Sequence, residues 1–347
     1  MERLTRARLD EILERCRGLR VAVVGDLMLD VYLVGAVSRI SPEAPVPVVA
    51  VEDEWVALGG AANVAANVVA LGAECELVGC VGADAAGAQI RDALARLDGG
   101  AVHPRLVEDA GRPTTTKTRV VARHQQVVRF DRERDDDVSA ECAARLQEAV
   151  RAAVGAADAL VLEDYNKGVL VPSVIRAAID AAREAGIPSV VDPKFRNFFE
   201  FRGATVFKPN ALELSAALGR PLAAHDDGWL ESARQRVKAE HLLLTLGEHG
   251  MALKGADGPA FRIPTVAREV YDVSGAGDTV TAFAAVALAA GATMREAAVL
   301  ANLAAGIEVG KPGVATVTPD ELRALVAEPS PGLAPFPTLP RTAGEGG

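Results

Sequence analysis

The residues best suited to chemistry lie in the segment from Asp272 to Thr279, which reads DVSGAGDT. Its glycines leave room for a ligand, and the run of good helix formers that follows predicts a turn opening a helix. Backbone N–H groups and the positive end of the helix dipole would converge at Gly275, Ala276 and Gly277, where they could hold a phosphate or a developing oxyanion. Asp278 then has two interpretations. It is either a first-turn acid that stabilises the helix start, or a base that takes a proton from a hydroxyl group.

A second glycine pair, Gly59 and Gly60, precedes a segment at 64–71 with helical periodicity. Without side chains, these two residues let a ligand approach the backbone closely. Asn63 falls in the first turn of the predicted helix, and its amide could hydrogen-bond the hydroxyl groups of a polyol. It could equally serve only as a helix cap.

Two segments, 114–122 and 125–130, alternate polar and apolar residues and predict a β-hairpin. Lys117 and Arg119 share one face of its first strand. That basic face either protects a sheet edge or binds an anion.

Further polar residues follow predicted strands, where binding groups collect in loops. The loop at 163–168 is one such position, and a turn at 245–250 has glycines and a threonine suited to phosphate. Asn210 and Glu213 have the spacing of a capping box, which by itself explains both residues. The other residues in such loops are Asp164, Lys167, Lys194, Thr245 and Gly247. Asn302 is instead a polar residue inside the Ala-rich face of a predicted helix at 294–309.

Strands and helices alternate along most of the chain, beginning with a buried strand at 20–24. This alternation predicts an α/β fold with a doubly wound, mostly parallel sheet flanked by helices, in one domain at 1–327. Segments at about 31–54 and 114–130 leave the alternation and predict a small β lid. The proline-rich tail at 328–347 is predicted to be disordered.

Composition narrows the function classes. Half of the 347 residues are apolar, and the net charge of −10 argues against broad binding to nucleic acid or anionic membranes. The four cysteines have no CxxC spacing, which is typical of buried free thiols in a reducing cytoplasm. No signal-peptide pattern or bilayer-length apolar run is visible. We therefore expect a cytoplasmic protein that holds phosphate locally.

Two common nucleotide motifs are missing from the sequence. The segment at 306–312, GIEVGKP, is one residue short of a P-loop and has proline where Ser or Thr would bind Mg²⁺. No GxGxxG motif follows the first predicted strand. A nucleotide would therefore bind through the loops at the carboxyl ends of the strands.

Taken together, these motifs resemble those of the ribokinase-like (PfkB) family of carbohydrate kinases. The glycine pair before Asn63 matches the sugar-side motif of that family, Asn210 with Glu213 its magnesium-associated motif, and 272–279 its carboxy-terminal signature. The resemblance covers about residues 10–325. Within the family the chain is most similar to the kinases of heptose 7-phosphate, through the segments GDLMLDVY, SRISPEAPVPVV, TKTRVVARHQQVVRFD, DYNKG and YDVSGAGDT.

The resemblance implies transfer of phosphate from ATP to the C1 hydroxyl of D-glycero-D-manno-heptose 7-phosphate. It makes Asp278 the base and places Mg²⁺ near Glu213 through water, with a monovalent cation such as K⁺ near Asp272. The residues implied on the sugar side, including cations for the 7-phosphate, are Asp30, Gly59, Gly60, Asn63, Lys117, Arg119, Arg129, Asp164 and Lys167. Those implied on the nucleotide side are Lys194, Asn210, Glu213, Thr245, Gly247, Gly275, Gly277 and Asn302.

The resemblance also implies a homodimer formed through the β lid. Val273 departs from many family members, which carry threonine there, although the heptose kinases resemble this chain at that position. The bifunctional heptose enzymes continue into a nucleotidyltransferase domain, so we expect the second activity to reside elsewhere. Two alternatives remain: a PfkB kinase for another sugar, sugar phosphate or nucleoside, and a non-catalytic protein that binds a nucleotide or sugar phosphate.

Overall fold

The computed structural model describes residues 4–97, 100–123, 125–267 and 269–326, so the predicted tail at 328–347 lies outside the described residues. The strands, in chain order, are β1 (Arg20–Gly25), β2 (Leu27–Ile40), β3 (Pro47–Gly60), β4 (Glu74–Val81), β5 (Val102–Glu108), β6 (Thr115–Ala122), β7 (Gln125–Arg132), β8 (Ala159–Glu163), β9 (Ser189–Asp192), β10 (Val206–Phe207), β11 (His241–Thr245), β12 (Met251–Lys254) and β13 (Phe261–Ile263). The helices are α1 (Arg6–Cys16), α2 (Ala61–Ala70), α3 (Ala85–Ala95), α4 (Ala140–Val154), α5 (Pro172–Ala185), α6 (Ala211–Leu218), α7 (Asp227–Val237), α8 (Ala276–Ala289), α9 (Met294–Glu308) and α10 (Pro319–Leu325).

The described residues form a nine-stranded main sheet in the order β13-β12-β11-β10-β9-β8-β1-β4-β5. Its strands from β11 to β5 run parallel, whereas β12 and β13 are added antiparallel at one edge. The predicted doubly wound, mostly parallel sheet is confirmed.

Helices cover both faces of the main sheet, and β1 shows why. Val21 and Val23 pack into a core with α1, α2, α8 and α9, whereas Ala22 and Val24 pack into a second core with α4, α5 and α7. Successive strand residues point to opposite faces, so a continuous apolar run fills both layers. Among the described residues, no helix is both long and apolar enough to cross a membrane.

A second sheet of four strands, in the order β3-β2-β6-β7, lies at the predicted lid. Strands β2 and β3 pair antiparallel from Leu27 with Gly60 to Ile40 with Pro47, so they extend beyond the predicted limits of 31 and 54. Strand β7 is exposed along its whole length. Because β2 follows β1 directly and β3 leads into α2, the lid connects to the main sheet on both sides.

The carboxyl ends of the parallel strands form the edge where polar residues gather. Asp26 follows β1, and Glu163 and Asp192 are the last residues of β8 and β9. Helix α8 begins at the same edge, and its N-cap Gly275 adopts φ 95°, a conformation that favours glycine. This edge therefore brings strand ends and a helix N-terminus together, as open α/β sheets do at ligand sites.

Candidate active site

Asp278 lies in the first turn of α8 and is buried, with 3% of its surface exposed. Its Oδ2 atom accepts a hydrogen bond of 2.7 Å from Nδ2 of Asn63, and its Oδ1 atom accepts one of 2.7 Å from the Tyr165 hydroxyl. Burial raises the pKa of Asp278 to about 6, while these two donors favour the charged form. The carboxylate is therefore oriented by two side chains and titrates close to the working range of a general base.

Asn63 is held in one orientation by the next turn of its own helix. Asn67 Nδ2 donates to Asn63 Oδ1 over 3.2 Å, which leaves Asn63 Nδ2 directed at Asp278. The residue that caps α2 is Gly60, and it makes no side-chain cap bond. The alternative that Asn63 serves only as a helix cap is therefore wrong, because its side chain contacts the carboxylate of α8.

Backbone donors surround the same helix start. Thr279 N–H makes the first intrahelical bond, to Gly275 O over 2.9 Å, and Ala276 N–H makes a weak turn bond of 3.4 Å to Val273 O. Among the described residues, the N–H groups of Gly275, Gly277 and Asp278 have no acceptor. Unpaired donors at a helix N-terminus are suited to bind a phosphoryl group.

Tyr165 reaches Asp278 because the loop after β8 is folded around Asp26. Asp26 Oδ2 accepts backbone N–H bonds from Tyr165 at 2.8 Å and Lys167 at 2.9 Å, and Oδ1 accepts one from Val169 at 3.1 Å. Asp26 is fully buried, and burial raises its pKa although the three N–H donors oppose the rise. The carboxylate fixes the backbone of the loop and with it the position of the Tyr165 ring.

Three buried carboxyl groups meet at this point. One oxygen of each of Glu163, Asp192 and Asp278 lies within 4.8 Å of the others. Lys208 Nζ donates to Asp192 Oδ2 over 2.7 Å, and it is the buried cation that offsets part of this charge. Neither oxygen of Glu163 has a hydrogen-bond partner among the described residues, and burial together with Asp192 and Asp278 holds its pKa well above the usual range.

A cleft of about 530 Å³ opens beside the start of α8. Its volume falls within the range of small-molecule sites. The lining includes five residues predicted for the nucleotide side: Asn210, Thr245, Gly247, Gly277 and Asn302. Asn302 Nδ2 donates to Pro264 O over 2.9 Å, so this amide also positions the wall of the cleft.

The predicted capping box at the start of α6 is confirmed. Asn210 Oδ1 accepts from Glu213 N over 2.8 Å, and Glu213 Oε2 accepts from Asn210 N over 2.9 Å. The other oxygen, Oε1, pairs with Lys194 Nζ. The Lys194 ammonium also lies 5.3 Å from the centre of the Tyr165 ring, which connects this helix start with the loop near Asp278.

On the lid side, Asp30 pairs with Arg119 across neighbouring strands. A Cβ atom at Gly59 would collide with the Asp30 carboxylate, so a larger residue there would displace the Asp30 side chain. Lys117 shares the face of Arg119, is partly buried and lies 5.8 Å from the Tyr165 ring centre. Among the described residues, Lys117 forms no ion pair, and burial lowers its pKa.

The other residues predicted on the sugar side have partners of their own. Lys167 pairs with Glu133 at 2.7 Å, and Arg129 pairs with Asp131 at 3.1 Å on the exposed strand β7. Asp164 Oδ1 accepts from Asn166 N over 2.8 Å, and burial raises the pKa of Asp164 to about 7.

A buried carboxyl group also lies behind the glycine turn. Glu308, at the end of α9, is fully buried, and neither of its oxygens has a partner among the described residues. A Cβ atom at Gly275 would lie 3.2 Å from Glu308 Oε1 and 3.0 Å from Asn63 Nδ2. Burial, with Asp278 and Asp272 nearby, raises the pKa of Glu308 to about 8.

The site contains six residues that sequence reasoning did not assign individually, although Glu163 and Tyr165 lie in the loop at 163–168 that it singled out. They are Asp26, Glu163, Tyr165, Asp192, Lys208 and Glu308. The sequence pattern could have indicated three of them. Asp26, Glu163 and Asp192 directly end or follow apolar strands, where binding groups collect.

The model of the pfkB family of carbohydrate kinases matches residues 19–321. The chain belongs to that family. As a pfkB carbohydrate kinase it is a phosphotransferase with an alcohol group as acceptor.

Two curated relatives of this pfkB kinase carry the name Bifunctional protein HldE. That of Pelobacter propionicus is 48% identical over 328 residues, covering 93% of this chain and 66% of the relative. That of Caulobacter vibrioides is 48% identical over 325 residues, covering 91% of this chain and 65% of the relative. The chain therefore spans about two thirds of the length of these relatives.

Two solved structures share the fold of this pfkB kinase. Arabidopsis thaliana ribokinase complexed with ribose and ATP has a TM-score of 0.69 and 22% identity, over 89% of this chain and 99% of that one. Escherichia coli phosphofructokinase-2 in complex with potassium has a TM-score of 0.72 and 21% identity, over 89% of this chain and 98% of that one. The predicted ribokinase-like fold is confirmed.

Proposed function

We propose that the chain transfers the γ-phosphoryl group of ATP to the C1 hydroxyl of D-glycero-D-manno-heptose 7-phosphate, a step in ADP-heptose biosynthesis. The products are the 1,7-bisphosphate and ADP. The observation that carries the chemistry is the buried Asp278, held by Asn63 and Tyr165 beside unpaired helix amides. The choice of sugar rests on the motif resemblance and on the 48% identity with bifunctional HldE proteins.

In this reaction Asp278 accepts the proton of the C1 hydroxyl as the sugar oxygen bonds to the γ-phosphorus. The bond from that phosphorus to the β,γ-bridging oxygen breaks, and ADP leaves. The N–H groups of Gly275 and Gly277 and the dipole of α8 stabilise the charge on the transferring group. Phosphoryl transfer depends mainly on positioning and electrostatics, which a rigid helix start can supply.

Lys117 is the residue we assign to the 7-phosphate. A partly buried ammonium without a carboxylate partner among the described residues is destabilised until an anion binds. Arg119, Lys167 and Arg129 each already pair with a carboxylate, so they would have to exchange partners to take this role.

Mg²⁺ fits the carboxyl groups at the strand ends, because their oxygens suit a hard cation. Asp192 lies next to Gly277, which lines the cleft. Glu163 offers two unpartnered buried oxygens, and Asp192 lies beside it. Both oxygens of Glu213 are engaged by Asn210 and Lys194, which supports contact with the ion through water. When bound, the ion would neutralise charge on the phosphates of ATP.

K⁺ is proposed near Asp272, behind the glycine turn. The support is Glu308, whose two buried oxygens have no partner among the described residues and lie against Gly275. A monovalent cation there would offset the charges of Glu308, Asp272 and Asp278. If the reaction rate does not change as K⁺ is added, the proposed K⁺ site is excluded.

We also propose a homodimer formed through the lid, in a cytoplasmic enzyme. Strand β7 is exposed at every position, and large apolar side chains lie open on the lid: Ile40, Val46, Val51, Trp55, Val128 and Phe130. Exposed apolar groups in such number favour an interface. Light scattering coupled to gel filtration should give the mass of a dimer, and Phe130→Glu should reduce it to that of a monomer.

The experiment that tests the function is phosphorus NMR after incubation with Mg-ATP and heptose 7-phosphate. We expect a new anomeric phosphate resonance and loss of the γ-phosphate signal. Fructose phosphates, ribose and nucleosides serve as competing acceptors. A higher kcat/KM for any of them would replace the heptose assignment, and ligand binding without transfer to any acceptor would overturn the kinase chemistry.

A further inference from the structure

A cluster outside the active site brings two cysteines and a carboxylate together. Sγ of Cys80, near the end of β4, lies 3.8 Å from Sγ of Cys142 in the first turn of α4. One carboxylate oxygen of Asp109, which follows β5, lies within 4.8 Å of both sulfurs. Nothing in the proposed kinase reaction uses these three residues.

Backbone hydrogen bonds fix each member of this cluster. Asp109 N–H donates to Val81 O over 2.9 Å, which ties the end of β5 to the residue after Cys80. Cys142 N–H donates to the hydroxyl of the N-cap Ser139 over 3.1 Å. Asp109 Oδ1 accepts the N–H of Gly111 over 2.9 Å, which orients the carboxylate. The cluster is thus preorganised by local structure, as ligand groups in metal sites are.

The separation of the sulfurs matches tetrahedral zinc geometry. Two Zn–S bonds of about 2.3 Å at the tetrahedral angle place the sulfurs about 3.8 Å apart. The carboxylate oxygen would form the third bond after a small side-chain rotation, since it already lies within 4.8 Å of both sulfurs. Asp109 is only partly buried, which leaves access for water as the fourth ligand.

The charges near the cluster also suit a divalent cation. Two thiolates and one carboxylate carry three negative charges, and the cation with Arg112 supplies three positive ones. Arg112 lies near both cysteines, and its buried Nη1 has no hydrogen-bond partner among the described residues. Its positive charge would balance the negative charge that the three ligands and a divalent ion leave over.

We propose that Cys80, Asp109 and Cys142 form a binding site for a thiophilic divalent cation of the zinc class. Thiolate ligands select such ions over Mg²⁺ or Ca²⁺. Binding would join the ends of β4 and β5 to the start of α4. Val138, just before α4, donates its N–H to Gly168 O over 3.1 Å, so the site adjoins the loop that carries Tyr165.

The test uses the full chain, reduced and freed of metal, titrated with Co²⁺ and Cd²⁺ and then with Zn²⁺ in competition. We expect one equivalent to bind with a thiolate-to-metal charge-transfer band, and Zn²⁺ to displace the Co²⁺. The band does not depend on catalysis, and the carboxylates of the active site cannot produce it. Failure of the kinase assignment would therefore leave this result unchanged.

Variants separate this site from the other cysteines. Cys80→Ala and Cys142→Ala should each abolish the band, and Asp109→Asn should weaken Co²⁺ affinity at least ~10-fold. Cys16→Ala is the matched control and should leave the titration unchanged, because that thiol already donates to Ile12 O over 3.2 Å. An absent band, a band that survives in Cys80→Ala, or a disulfide between Cys80 and Cys142 in protein kept under reductant would each overturn the proposal.

Discussion

Removing the Tyr165 hydroxyl should shift the pH dependence of turnover. The hydroxyl donates to Asp278 Oδ1 over 2.7 Å, and Tyr165→Phe deletes that donor while keeping the ring beneath Lys117 and Lys194. A hydrogen bond to a charged group contributes about 1.5–3 kcal/mol, which equals about one to two pKa units. The pKa of Asp278, about 6 in the wild type, should therefore rise to about 7–8 in the variant.

The assay is kcat measured from pH 5 to 9 with saturating Mg-ATP and sugar phosphate. Since Asp278 must be ionised to accept a proton, the rate should fall as the pH drops through its pKa. At pH 6.5 the variant should be about 3- to 25-fold slower than the wild type, and at pH 9 the two should nearly agree. Tyr271→Phe is the matched control, because Tyr271 is a residue with 70% of its surface exposed. A Tyr165→Phe profile that superimposes on that of the wild type would refute the role of this hydrogen bond.

Three further substitutions, one of them with a control variant, probe other parts of the site. Lys117→Met should raise KM for the sugar phosphate about 10- to 100-fold by removing a charge-assisted contact, with KM for ATP unchanged, and Arg129→Met should change neither. Asp26→Asn should lower the free energy of unfolding in urea by about 2–4 kcal/mol, because an amide cannot accept all three loop N–H bonds. An unchanged midpoint of unfolding would contradict the role of Asp26 in holding this loop. Glu308 has a folded pKa of about 8, above its unfolded value, so in potassium-free buffer the wild type should lose thermal stability as pH rises from about 4.5 to 8. Glu308→Gln should flatten that loss, and parallel curves would show that Glu308 does not titrate there.

The motifs of the site could be read from the sequence because each is local. The DVSGAGDT segment starts α8, the Asn210 and Glu213 spacing forms the capping box, and the glycine pair precedes α2. Each combines a turn residue with a helix start, so short-range rules suffice. The alternation of strands and helices likewise predicted the parallel sheet.

The residues and elements that sequence reasoning missed depend on contacts between positions far apart in the sequence. Tyr165 meets Asp278 across 113 positions, and Lys208 meets Asp192 only because β9 and β10 are neighbours. Elements β5, α7, β12, β13 and α10 were not predicted. Strand β5 shows the reason. It contains Pro104 and Arg105 and lies at the edge of the sheet, where pairing with the neighbouring strand, and not an alternation of polar and apolar residues, determines the structure.

The most direct test of the kinase chemistry is the single-turnover rate of Asp278→Asn with bound Mg-ATP and heptose 7-phosphate. An asparagine keeps the shape of the side chain but cannot accept the hydroxyl proton as a base. The rate of phosphoryl transfer should fall at least ~10²-fold, while ATP affinity measured by calorimetry stays near the wild-type value. Transfer at a near-normal rate would contradict the assignment of Asp278 as the base.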